Sequence, residues 1–234
     1  MHAWANFDIH DKCTDNVFHA ALRSAHASND TVLGSHILAF WPIAAYNTGR
    51  AEDAEVVTDA ALSAARGRTT PRVEAMLLSR RARGRAHQNN PAAVTDLDRA
   101  AELLEATGHS SGEDPEWVYW FDDCELLGAR ASTHLDLGQP AQAEDTFVQA
   151  AARFPTGRVR TQALFLARRT DAQWRQNDPE RACATAHRAL NLTEGISSHR
   201  ATGPLRDLAA NMDEHAGLPA VRNLRERIAI AQSG

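Results

Sequence analysis

The sequence predicts an all-α protein built from stacked helix pairs, and three observations point to this class. Alanine, the strongest helix former, supplies 44 of the 234 residues, whereas aromatic residues make up only 6%. A spaced pattern of small residues recurs at a near-constant interval along the chain. N-capping residues also precede the segments in which apolar side chains have helical spacing.

The recurring pattern is clearest in residues 135–155, LDLGQPAQAEDTFVQAAARFP. The pattern begins at Gly138. Ala143, Phe147, Ala150 and Pro155 follow it by 5, 9, 12 and 17 residues. Weaker copies start at Gly49, Asn89 and Asn177. The equivalent alanines of all copies are Ala21, Ala61, Ala101, Ala150 and Ala189. Successive members of this series are 40, 40, 49 and 39 residues apart. This period predicts helix pairs in which small residues allow close approach and the glycine or asparagine makes a left-handed turn.

The predicted pairs cover residues 1–28, 30–66, 70–106, 114–154 and 158–194, in that order. Asp30, Thr70 and Asp114 are the expected N-caps, the last two with a proline directly after them. Pro42 predicts a kink in the first helix of the second pair. Two last helices within residues 201–232 lack the pattern and are expected to cap the stack. No low-complexity linker divides the chain, so we predict one domain over residues 1–234.

The 49-residue interval contains an unusual stretch, EDPEWVYWFDD, at residues 113–123. The surplus residues predict that the first helix of the fourth pair begins about two turns early and projects beyond its neighbours. On such a helix, one face would carry Trp117, Trp120, Phe121 and Cys124. Two interpretations stay open: the rings fill the core, or Trp117 and Tyr119 line the mouth of a groove. In the second case the neighbouring carboxylates would suit a cationic or aromatic ligand: Asp122, Asp123 and Glu125.

The spaced pattern resembles the tetratricopeptide repeat (TPR), in copies longer than usual and with leucines in place of the usual tryptophan: Leu38, Leu78, Leu127 and Leu166. The resemblance implies a right-handed α-solenoid of about five helix pairs with C-terminal capping helices. It also implies that the first helices line a concave groove, with these candidates: His36, Ile43, Tyr46, Asn47, Arg83, His87, Glu125, Ser132, Asp136, Asp171, Trp174 and Arg175. Arg83 and Arg175 either hold an anionic group of the ligand or pair with neighbouring helices.

Composition and motifs exclude several functions. The net charge of −5 argues against a general nucleic-acid binder, and no apolar run is long enough to span a membrane. Three distant cysteines and the absence of a signal-peptide pattern predict a cytoplasmic protein with reduced thiols. No metal, phosphate-loop or nucleophile motif is present, so we predict no cofactor and no metal. An enzyme that uses Asp122, Asp123, Glu125 or His134 stays an alternative.

Four strings resemble the C-terminal half of actinobacterial helix-turn-helix regulators of the xenobiotic-response-element type: AHASNDTVLGSHILA (25–39), DPEWVYWFDDCELLG (114–128), LDLGQPAQA (135–143) and GLPAVRNLRER (217–227). The resemblance implies a sensory module that binds a small molecule or a peptide, or a protein partner, and controls transcription. No helix-turn-helix precedes Ala3, so we expect no direct DNA binding by this chain. Self-association into a homodimer stays an alternative.

Overall fold

The protein is all-helical, as predicted. The computed structural model describes residues 15–107, 113–194 and 199–233, and no strand occurs within these ranges. The α-helices are α1 (Asp15–Ala27), α2 (Thr31–Leu38), α3 (Trp41–Asn47), α4 (Ala51–Ala65), α5 (Pro71–His87), α6 (Ala92–Thr107), α7 (Asp123–Asp136), α8 (Pro140–Ala151), α9 (Val159–Arg175), α10 (Pro179–Thr193), α11 (His199–Ala210) and α12 (Pro219–Ser233). Short 3-10 helices cover Glu116–Val118 and Asp213–His215.

Helices that follow one another pack in pairs. The most extensive contacts join α5 to α6, α9 to α10, and α7 to α8. The first helices of successive pairs also contact one another, since α3 packs on α5, α5 on α7, α7 on α9, and α9 on α11. This order places α3, α5, α7, α9 and α11 next to one another. The N-terminal helix α1 is joined to this array by Asp15, which accepts a hydrogen bond from the Trp41 indole at 2.8 Å.

The turns predicted between the paired helices are present. Gly49, Asn89, Gly138 and Asn177 all have positive φ, between 56° and 81°. Asparagine and glycine are the residues that adopt this left-handed conformation at the lowest cost, and it reverses the chain after a helix. The four copies of the pattern therefore share a turn geometry as well as a sequence.

Three of the five alanines of the pattern are buried, one copy is shifted by a residue, and Ala21 in α1 is half-buried. Ala61, Ala150 and Ala189 are buried, as close helix packing requires. In the third copy the pattern places its alanine at Ala101, which is only half-buried, whereas the preceding Ala100 in α6 is fully buried. The register of the third copy is therefore one residue from the predicted one. Residues 1–14 of the first predicted pair lie outside the described residues, and the division into one domain stays a prediction.

Two of the three predicted N-caps are correct. Asp30 accepts a hydrogen bond from the Leu33 amide at 2.8 Å, and Thr70 caps α5 through the Val73 amide. The kink predicted at Pro42 is a full break: the chain leaves helix at Ala39–Phe40, and Pro42 lies in the first turn of α3. There its missing amide hydrogen removes no helical hydrogen bond.

The prediction of a long first helix in the fourth pair is wrong. Residues 116–118 form a single 3-10 turn, and α7 begins only at Asp123, with Asp122 as its N-cap at 3.0 Å from the Glu125 amide. Asp114 is not a cap, because its carboxylate binds the guanidinium of Arg72 at 2.6 Å. The rings of this stretch therefore do not share a helical face.

Gly128 in α7 gives a test of how closely the first helices pack. A Cβ atom at this position would lie 1.9 Å from Cζ of Phe165, a ring on α9 that also packs on Phe147 and Phe154. We expect Gly128→Ala to lower the free energy of unfolding by about 1–2 kcal/mol, since overpacking outweighs the gain in helix propensity. Chemical denaturation measures the change.

The matched control is Gly34→Ala in α2, where no atom lies within 4 Å of the added Cβ. Here only the helix propensity changes, and we expect a gain of about 0.5–1 kcal/mol. Equal effects of the two substitutions would contradict the close contact between α7 and α9.

Candidate functional site

A cavity of about 590 Å³ lies along the array of first helices. Its walls come from α3, α5, α7, α9 and α11, and from the segment 113–122 before α7. Three small residues form part of the wall: Gly128, Ala129 and Ala201. We call this cavity the cleft.

Arginines outnumber carboxylates in the lining of the cleft. Arg80 and Arg83 of α5 line it, together with three arginines at the start and middle of α9: Arg158, Arg160 and Arg168. Among the described residues, Glu125 is the one carboxylate in the lining. This contrasts with the net charge of −5 for the whole chain. A concave surface lined by one sign of charge focuses the potential and attracts ligands of the opposite sign.

Arg83 is the most deeply buried of these arginines, with 3% of its side chain exposed. Its guanidinium pairs with Asp136 of α7 and lies over the ring of Tyr46, 5.3 Å from the ring centroid. The ring of His87 stacks on the same Tyr46 at 5.1 Å. The pKa of His87 is lowered to about 4, mainly by burial. The negative charge of Asp136 opposes this shift, whereas the positive charges of Arg83 and Arg168 add to it. The imidazole is therefore neutral at pH 7.

Three arginines contact the segment 113–122. Arg72 binds both ends of it, because its Nε donates to Asp114 and its Nη1 donates to the Phe121 carbonyl at 2.8 Å. Arg80 lies over the Trp120 ring, 5.4 Å from its centroid. Arg158 donates to the Trp120 carbonyl at 3.0 Å and pairs with Asp122 at the same distance. The segment is thus held by side chains from α5 and from the start of α9.

This arrangement puts Tyr119 at the rim of the cleft. Its side chain is 77% exposed, and it is an aromatic ring that lines the cleft. Behind it, Trp120 packs edge-on against Phe121 and contacts Phe40, with centroid separations of 5.8 Å in both cases. Phe121 is fully buried and fits the core interpretation of the aromatic stretch, whereas Tyr119 fits the groove interpretation. Trp120 fits both, because it packs on the core and also lines the cleft.

Five of the eleven predicted binding residues line the cleft: Tyr46, Arg83, Tyr119, Glu125 and Ser132. The other six lie elsewhere. Trp117 stacks on His36 at 4.6 Å, outside the cleft, and burial lowers the pKa of that imidazole. Asp122 caps α7, and Asp123 is exposed. Trp174 packs on His215, and Arg175 pairs with Asp171 in its own helix at 2.7 Å.

Of the mouth predicted from Trp117 and Tyr119 beside Asp122, Asp123 and Glu125, Tyr119 and Glu125 line the cleft, and the other three residues do not. Sequence reasoning also missed Arg158 and Arg160. Helical spacing could have found both. Arg158, Thr161, Phe165 and Arg168 recur at steps of three or four residues from the N-cap of α9, and Arg160, Leu164 and Arg168 recur at steps of four. The prediction started from the repeat positions of that helix and passed over its first turn.

Other reactive groups do not add to the cleft. Burial, aided by Asp122 and Glu125, raises the pKa of the Cys124 thiol to about 12, and burial raises that of Cys183. His134 bonds to Gln139 at 2.7 Å. In the described ranges, no three His, Cys, Asp or Glu side chains converge in a way that could hold a metal ion. Within the same part of the chain, no helix has the length and apolar character needed to cross a membrane.

Comparison of the chain with protein-family models, with curated proteins and with solved structures found no match. The site is therefore interpreted from its own geometry.

We predict that Asp114→Ala releases the segment 113–122. It leaves the buried Arg72 without its carboxylate, so we expect the free energy of unfolding to fall by about 3 kcal/mol. Hydrogen exchange of the amides of residues 116–121 should become faster. The control is Asp98→Ala, which removes an exposed partner of Arg130 and should cost less than about 1 kcal/mol. Equal losses in the two variants would show that Arg72 does not depend on Asp114.

A second prediction concerns acid stability. The pKa of His87 is about 4 in the folded protein and about 6.5 in an unfolded chain. Between these values the unfolded chain binds a proton that the folded protein does not, so stability falls as the pH drops from about 6.5 to 4. We expect this fall to be shallower in His87→Gln, measured by denaturant unfolding at several pH values. Parallel pH profiles in the two proteins would contradict the shifted pKa.

Proposed function

We propose that this protein is a non-enzymatic binding module that takes a ligand into the cleft, and that the ligand carries negative charge. The observation that supports this most directly is the five-to-one excess of arginine over carboxylate among the described lining residues, in an acidic protein. Arginine binds carboxylates and phosphates through two parallel hydrogen bonds, which gives both affinity and orientation.

The dimensions of the cleft favour a small molecule. Its volume of about 590 Å³ lies within the range of about 300–1,000 Å³ that is usual for small-molecule sites. Apolar and aromatic side chains complete the wall: Phe40, Ile43, Tyr46, Leu164 and Phe165. A mainly apolar wall with a few charged groups is the usual composition of such sites. A peptide, or a protein partner, stays the alternative occupant.

We also propose that the helix pairs form a right-handed α-solenoid of the TPR type, with α11 and α12 as its cap. The order of contacts supports this, because each first helix packs on the first helix of the next pair. The cleft then corresponds to the concave surface of the solenoid, which is the surface such proteins use for binding.

The regulatory role rests on the resemblance to helix-turn-helix regulators. We propose that the module senses its ligand in the cytoplasm and passes the signal to a transcriptional control system. A binding module without catalytic groups is sufficient for this, because a ligand shifts a protein between states through its different affinities for them.

The geometry gives less support to an enzyme. A catalytic role for Asp122, Asp123, Glu125 or His134 requires these groups to converge on one pocket. Of the four, Glu125 lines the cleft, whereas Asp122 is a helix cap that pairs with Arg158. His134 is held by Gln139. The carboxylates and the histidine therefore do not form an acid–base pair.

Native mass spectrometry of the purified full chain tests the binding proposal, with a second measurement under denaturing conditions. We expect an additional small mass that is lost on denaturation. Arg168→Gln removes a charge from the cleft and should reduce the retained fraction at least about tenfold, since a charge-assisted hydrogen bond contributes about 1.5–3 kcal/mol.

The matched control is Arg188→Gln, which removes the same charge from an exposed position on α10 and should retain the ligand. A ligand retained equally by both variants would place it outside the cleft. If the protein carries no ligand, added anions should raise its melting temperature, and the absence of any such rise would contradict the proposal.

A further inference from the structure

We propose that the ligand of the cleft is a small aromatic anion, in which a planar ring packs on Tyr119 and an oxyanion binds the arginines of α5 and α9. This inference rests on the proposed function and adds to it the chemical class of the ligand. Carboxylate and phosphate share the required chemistry, and the experiment below distinguishes them.

The case for an oxyanion rests on arginines that two helices, α5 and α9, contribute to the cleft. Arg83 of α5 and Arg168 of α9 both line the cleft, and both act electrostatically on the ring of His87. Guanidinium groups from the third and the fifth helix pair, on either side of α7, therefore line the same cleft. A cleft lined by guanidinium groups of two helices attracts an oxyanion. An oxyanion also accepts the paired hydrogen bonds that guanidinium groups donate.

The neighbouring groups favour an anion over a cation. Asp136 binds Arg83, and His87 is neutral at pH 7 and adds no charge of either sign. Glu125 lies near Arg158, 3.9 Å from its Nη1. The carboxylates next to the cleft are thus placed beside arginines, and a cationic ligand would compete with those arginines for them.

The case for a ring rests on Tyr119. It is 77% exposed although it lines a cavity, and no other described ring lies against it. Its backbone is held in place, since Val118 on one side is buried and the Trp120 carbonyl on the other accepts a hydrogen bond from Arg158. An exposed ring on a fixed backbone can stack on a ligand without a large loss of conformational entropy.

The test is calorimetric titration of the full chain with four probes. 2-Naphthoate and 2-naphthyl phosphate have both the ring and an oxyanion, 2-naphthamide is neutral, and cyclohexanecarboxylate has an anion without an aromatic ring. We expect at least one of the two naphthyl anions to bind at least about tenfold more tightly than either of the other probes. The stronger of the two identifies the type of oxyanion.

Variants assign the two parts of the ligand to the two parts of the cleft. Tyr119→Ala should weaken binding of the naphthyl anion about threefold to tenfold and leave cyclohexanecarboxylate unchanged, whereas Tyr119→Phe should keep the affinity. Arg168→Gln should weaken all three anions at least about tenfold, and Arg188→Gln none of them. Because Tyr119 is exposed, its replacement does not endanger the fold.

The inference is overturned if 2-naphthamide binds as tightly as the naphthyl anions, which removes the role of charge. It is equally overturned if cyclohexanecarboxylate matches them, which removes the role of the ring. If no probe binds but native mass spectrometry shows a ligand of another class, this inference fails and the proposed function stands. If no probe binds and the protein holds no ligand and responds to no anion, both fail.

Discussion

The structure depends on the burial of helix α5. Twelve of its 17 residues are buried, and Arg72, Arg80 and Arg83 are among them. A guanidinium group cannot lose its proton at any relevant pH, so each of these residues needs a carboxylate, a carbonyl or a ring as its partner. The neighbours of α5 are therefore constrained by charge as well as by shape, and a helix with this sequence is stable only when they are in place.

The arginines of α5 form contacts on two sides of the helix. Arg81 and Arg85 both bind Asp96 of α6, at 2.7 Å and 3.0 Å, and also reach carboxylates of α4. These bonds fix the second helices of two successive pairs to α5. On the other surface Arg72, Arg80 and Arg83 hold the segment 113–122 and the Tyr46 side of the cleft. The same helix therefore joins the scaffold to the candidate site, and a change in its packing affects both.

What could be predicted from the sequence is largely local. A positive φ at Asn89 or Gly138 and a cap at Asp30 follow from the preferences of the residues themselves. The conformation of the segment 113–122 does not follow from the preferences of its own residues. Asp114 precedes a proline and acidic residues, which locally favours a helix start, but its partner Arg72 is 42 residues earlier in the chain. A long-range ion pair overrides the local signal, and no pattern within the segment indicates it.

The residues that line the cleft could likewise be predicted only where a local pattern fixes their position. Repeat positions located Tyr46, Arg83 and Ser132, because they belong to helices whose register the pattern fixes. Arg158 escaped prediction since it lies before the first turn of α9, where the repeat pattern assigns no position. Its role depends on the carbonyl of Trp120, which lies before the start of α7 at Asp123 and accepts a hydrogen bond from Arg158.

Under the proposed function, the position of the cleft has a physical consequence. α5 and α9 both pack on α7, so a ligand that binds arginines of both helices adds a connection between helix pairs that α7 already joins. Ligand binding then stabilises one arrangement of three successive pairs by an amount set by the ligand concentration and affinity. The terminal helices share this arrangement, since α11 packs on α9 and contributes Ala201 to the cleft. Under the proposed function, a ligand held by a few arginines can therefore change the surface that the last helices offer to a regulatory partner.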